Sequence, residues 1–144
     1  MTHKDIIKLA SEVKQHIKQI SPDEAEKTIQ ENDVIIFDVR EDYEYQAGHL
    51  DKAKNLSWTE IEAKVVERLI PDKSTPIICY CAGGNRSALA TNSLNKLGYE
   101  NVVSLEGGIT AWTNQNKEIT TAEKTPEGQK AKRLGDFKIG NHQG

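Results

Sequence analysis

The sequence predicts an α/β fold: a central, mostly parallel sheet with helices on both faces. Three short apolar runs carry this reading: residues 34–39 (Val-Ile-Ile-Phe-Asp-Val), 77–80 (Ile-Ile-Cys-Tyr) and 102–105 (Val-Val-Ser-Leu). They are rich in β-branched residues and apolar on both faces, which suits strands covered on two sides. Helical stretches precede and separate them, at 22–31, 59–69 and 86–97. Strands alternating with helices at this spacing imply βαβ units and a parallel sheet. A chain of 144 residues has room for one such domain.

The elements follow in order. Ile6, Ala10, Val13, Ile17 and Ile20 recur at spacings of 4, 3, 4 and 3, an amphipathic helical stripe. Its plain reading is a helix packed on the domain; a dimer seam is the sharper one, on too few heptads. Residues 17–20 alternatively form a short strand, because Ser21-Pro22-Asp23-Glu24 opens a new helix. Ser21 suits the N-cap, Pro22 the first helical position, and Glu24 the return arm of a capping box. Gly98 sits where a helix ends, and Gly107-Gly108 turn the chain into a last helix before Trp112. Right-handed crossovers put the loops after the strands on one edge, where open sheets of this kind bind ligands. From Asn114 to Gly144 the chain is polar and predicted to be a weakly ordered tail, with Leu134, Phe137 and Ile139 as candidates for local docking.

Composition removes several function classes. The net charge is −3, which argues against a dedicated nucleic-acid binder. The apolar fraction of 36% is low, and the two peripheral zones account for it. No apolar run reaches the roughly 18 residues of a membrane span. The first ten residues carry Asp5 and no continuous apolar stretch, so they do not read as a secretory signal. Two cysteines, Cys79 and Cys81, exclude a disulfide scaffold and make a reducing cytoplasm the default compartment. With His49 they do not make the four-ligand set of a structural zinc site.

The chemistry concentrates in residues 77–87. A buried strand runs out at Cys81, and a helix begins near Arg86. Between them lie Ala82, Gly83, Gly84 and Asn85, small or polar residues that let successive amides turn inward. The helix N-terminus aims partial positive charge at the same spot. The expected geometry is a cup of donors with a cysteine at its base, which favours the nucleophilic thiolate form. Arg86 supplies a fixed charge and Ser87 a hydroxyl near the rim. The bland alternative is a small hydrophobe ending a buried strand. Cys79, inside the strand, reads as buried packing.

The pattern Cys81-x-x-x-x-Arg86-Ser87 resembles the active-site loop of the rhodanese family of sulfurtransferases. Upstream, Asp38-Val39-Arg40-Glu41, Glu44-Tyr45, Gly48-His49-Leu50, Ala53 and Asn55 are similar to the family's first signature. Downstream, residues 97–102 (Leu-Gly-Tyr-Glu-Asn-Val), Leu105, Gly107-Gly108 and Trp112 agree as well. The resemblance implies a rhodanese-like three-layer domain over residues 17–116, preceded by an N-terminal amphipathic helix at 1–16 and followed by an extension at 117–144. It implies that Cys81 attacks the outer sulfur of a donor, thiosulfate or a small persulfide, and carries it as a persulfide to a thiol, cyanide or protein acceptor. The amides from Ala82 to Arg86 would cradle the anionic sulfur, with Arg86 shaping the loop and holding the donor. No cofactor, metal, nucleic acid or membrane is called for.

Asp38 and Arg40 have two readings, a structural pair fixing neighbouring loops or, for Arg40, added positive field for an anionic donor. The structural reading is favoured, and Glu44 and His49 are likewise assigned to loop architecture. Related phosphatases of this fold place five residues between cysteine and arginine, whereas four intervene here. The smaller cup favours a single sulfur over a phosphate group. The remaining alternative is a non-catalytic binding or sulfur-carrier module that recruits a protein partner.

Overall fold

Alternation along the central strands decides the layers. In β2 (Ile35–Asp38) and β4 (Ile77–Tyr80), successive side chains point to opposite faces. Phe37, Cys79 and, just beyond β4, Cys81 enter one core with Val66, Ile70, Ala90 and Leu94. Ile36, Ile78 and Tyr80 enter the other with Ala25, Tyr45, Ile109 and Trp112. The structure, a computed structural model, describes residues 2–121. Five parallel strands form the sheet in the order β1-β5-β4-β2-β3, with β1 at Lys18–Ile20, β3 at Lys54–Asn55 and β5 at Val102–Leu105. α4 (Ala63–Leu69) and α5 (Asn85–Lys96) cover the first face. α2 (Pro22–Glu31), α3 (Asp42–Ala47) and α6 (Gly108–Asn114) cover the second. This is the three-layer rhodanese-like architecture that the resemblance implies.

α1 (His3–Val13) starts on a capping box, Thr2 with Asp5, and packs along α5 with Ala10 fully buried. The apolar stripe outruns this helix. Backbone turns after Lys14 end it, and Ile20 enters the sheet through β1, the short-strand alternative. α2 begins on the expected cap: Glu24 N donates to Ser21 Oγ, and Ser21 N to the Glu24 carboxylate.

Three features differ from expectation. The helix expected over 59–69 is broken. A 3₁₀ turn at Trp58–Glu60 is closed by Glu60 N donating to Ser57 O and capped by Ser57 N donating to the Glu60 carboxylate, and Ile61 is extended before α4 begins. Ile61 thereby packs on the first core, and that burial wins over continuous helix. Second, α3 and β3 occupy the stretch read as loop architecture. Third, the polar extension stays seated through Thr121: Lys117 pairs with Asp23 and Glu26 of α2, and Thr120 bridges His49. The docking of Leu134, Phe137 and Ile139 lies outside the described residues. No helix of the described residues is long and apolar enough to cross a membrane.

Candidate active site

β4 is central, flanked by β5 and β2, so the loop leaving its carboxyl end opens between neighbouring strands. That loop holds Cys81, which is 1% exposed. Two backbone amides reach its sulfur: Gly84 N at 3.0 Å and Ser87 N at 3.4 Å. Gly84 has φ +106°, the left-handed region that glycine accepts without strain, and it caps α5. The sulfur therefore lies at the N-terminus of a 12-residue helix, on amide donors and on the positive end of its dipole.

The back of the loop is held from α6. Ile109 N donates to Cys81 O at 2.9 Å and Thr110 N to Ala82 O at 3.1 Å. This needs Gly108, because a Cβ there would sit 2.4 Å from Cys81 O and 2.5 Å from Ala82 O. Two runs distant in sequence thus build one cup.

Ser87 departs from expectation. It is fully buried behind the sulfur rather than at the rim, its hydroxyl 3.5 Å from Cys81 Sγ and 2.8 Å from the hydroxyl of Ser104 on β5. Asn85 and Arg86 are half-buried at the start of α5, Ala82 is half-buried, and Gly83 is exposed. Arg86 is engaged twice by Glu44 of α3, at 2.7 and 3.1 Å. That hydrogen bonding holds the Glu44 carboxyl below its usual range and raises Arg86.

Asp38 and Arg40 form a buried pair. Arg40 Nη2 donates to Asp38 Oδ2 at 2.7 Å and to Gly48 O at 2.6 Å, tying the end of β2 to the 48–50 loop. Burial opposes the Arg40 charge, and Asp38 outweighs it. His49 directs Nδ1 to Tyr45 O and stacks on the Tyr45 ring at 3.9 Å. Burial lowers its pKa, which favours neutral imidazole. Burial also pushes the Cys79 thiol up to about 12, so this cysteine stays protonated inside the sheet. Among the described residues, no three of His, Cys, Asp and Glu gather into a metal site.

Sequence reasoning missed three contributors: Ser104, Gly108 and Lys14. Ser104 had a faint signal, a polar residue inside an apolar strand. Gly108 had one in the glycine pair, though not its partner. Lys14 Nζ reaches Asn85 Oδ1 at 2.8 Å across 71 residues of sequence, which no local pattern announces.

Comparison with known proteins agrees with this geometry. The rhodanese-like domain family model matches residues 21–115. Curated relatives include a tRNA uridine(34) hydroxylase of Chlamydia pneumoniae, 34% identical over 120 residues, 78% of this chain and 37% of that protein. The corresponding protein of Teredinibacter turnerae is 32% identical over 112 residues, 76% of this chain and 32% of that one. The chain thus spans about a third of the length of these relatives. Among solved structures, a thiosulfate sulfurtransferase from Pseudomonas aeruginosa matches with a TM-score of 0.73 at 26% identity, covering 88% of this chain and 23% of that one. The polysulfide-sulfur transferase homodimer from Wolinella succinogenes matches at 0.64 and 26%, covering 84% and 90%. Sheet, loop and family model converge, and the chain belongs to the rhodanese-like domain family.

Proposed function

We propose that this domain transfers sulfane sulfur through a persulfide on Cys81. The observation that carries the reading is the paired donation of Gly84 N and Ser87 N to one sulfur, in a loop with four residues between Cys81 and Arg86. Donors placed there stabilise a thiolate before reaction and the terminal sulfur anion of a persulfide after it. The thiolate attacks the outer sulfur of thiosulfate; a Cys81 S–S bond forms, the S–S bond of thiosulfate breaks, and sulfite leaves with the electron pair. An acceptor thiolate or cyanide then attacks the carried sulfur and returns Cys81 as thiolate. No proton transfer to the leaving group is required, so His49 has no assigned step.

Sulfur uptake is read directly by intact mass. Reduced protein incubated with thiosulfate, and in parallel with glutathione persulfide, is expected to gain one sulfur, about 32 Da, removable by cyanide. Cys81→Ser is expected to gain none while remaining folded. A gain that survives in Cys81→Ser sinks the proposal. Absence of any gain with both donors favours the non-catalytic binding module.

A second reading comes from the curated relatives. They are named for tRNA uridine(34) hydroxylation, and the similarity covers 78% of this chain. The same Cys81 loop would then serve an RNA-modifying assembly. Its test is a gel shift with total tRNA at low salt, where saturable binding supports it.

A further inference from the structure

We infer that Lys14 sets the charge preference of the Cys81 cup, selecting anionic donors; the inference rests on Cys81 as the sulfur-accepting nucleophile. Lys14 caps the C-terminal end of α1, outside the stretch matched by the family model. α1 lies along α5, and this packing delivers the ammonium to Asn85, the first residue of α5. Asn85 is next in the chain to Gly84, whose amide is on the sulfur.

Charge at the site is otherwise spoken for. Arg86 is neutralised by Glu44, and Arg40 by Asp38. Lys14 forms no ion pair with any described residue, and its hydrogen-bond partner is a neutral amide. The residues from Ala82 to Asn85 carry no charge, and the first turn of α5 has no acidic residue. An ammonium at a helix N-terminus works against the helix dipole, where an acidic group would be favoured. The arrangement becomes favourable once an anion occupies the cup, because the dipole and Lys14 then act on it together. A thiosulfate dianion gains more from this than a neutral donor does.

The test uses two alkylating probes of similar size. Cys81 is treated with iodoacetate, an anion, and iodoacetamide, which is neutral, with Cys81→Ser as the blank. In Lys14→Met the iodoacetate-to-iodoacetamide rate ratio is expected to fall about three- to tenfold at low salt, the size of one cation–anion interaction through a watery path. The difference is expected to shrink at 1 M salt. Lys14→Arg is expected to restore the ratio, and the KM for thiosulfate is expected to rise in Lys14→Met. An unchanged ratio, or two rates falling together, overturns the inference. If thiosulfate sulfurates the wild type yet Lys14→Met keeps both ratio and KM, Lys14 fails and sulfur transfer stands. If the ratio falls as expected but no donor loads Cys81, the sulfur-transfer reading fails and charge selection by Lys14 stands.

Discussion

Glycines in and beside the Cys81 loop have unequal roles. Gly108 has φ +60°, and its missing Cβ leaves room for the Cys81 and Ala82 carbonyls. In a trans peptide, C=O and the following N–H point opposite ways. Anchoring those two carbonyls on α6 therefore turns the Ala82 and Gly83 amides away from it. Gly83, by contrast, has open space around a Cβ. Gly108→Ala is expected to cost roughly 3 kcal/mol through backbone overlap. Gly83→Ala is expected to stay within about 1 kcal/mol of the wild type. Urea unfolding of both variants checks this, and equal midpoints would contradict it. The contrast also marks what was legible. Cys81, Gly84 and Arg86 lie in one short stretch, so their grouping in one loop could be read locally. The partners of Gly108 and Lys14 come from distant elements, and the burial of Ser87 is not legible because a sequence does not show which way a first-turn side chain turns.

At the scale of elements, the 117–121 strap shows how local polarity misleads. Its composition predicts weak order, yet residues 117–120 each find a partner. Trp112 Nε1 donates to Glu118 O, Thr120 and His49 exchange two backbone hydrogen bonds, and Ile119 covers Gly48. Gly48 O in turn receives Arg40, so the strap backs the loop to which the Asp38–Arg40 pair is tied. Ile119→Ala is expected to cost about 1–2 kcal/mol, less than a fully buried isoleucine because the side chain is half-buried. Lys117→Ala is expected to cost less than Ile119→Ala, because its Asp23 partner is 80% exposed and solvent screens the pair. Thermal or urea unfolding orders the two variants; the reverse order would show that the ion pairs hold the strap. The apolar runs of β2, β4 and β5 and the capped α2 are readable because apolar patterning and caps are local. α3, with six residues, and β3, with two, are too short for a periodic signal and form because the sheet and the buried Tyr45 hold them.

For the whole molecule, two titrating groups couple acid to the face that carries the site. His49 is buried, and burial lowers its pKa below the usual 6.5. As pH falls through 6.5 the unfolded chain takes up a proton that the folded chain refuses, so stability declines from there down to the folded value. Glu44 behaves as a depressed carboxylate. Its bond to Arg86 contributes in full above 4.5 and is lost as pH falls from there through the lower folded value. Glu44, on α3, braces the Cys81 loop through Arg86, and His49 lies in the loop tied to Arg40. Acid is therefore expected to weaken the fold in two stages, the second of which also releases Arg86 from its carboxylate. Urea unfolding between pH 8 and pH 3.5 resolves the stages. Glu44→Gln, which cannot ionise, is expected to lower stability at pH 7 and to flatten the limb below 4.5 while leaving the decline that starts at 6.5. If the acid limb stays as steep in Glu44→Gln as in the wild type, the Arg86 tie contributes nothing measurable, and the loop is held by α6 and the α5 N-terminus alone.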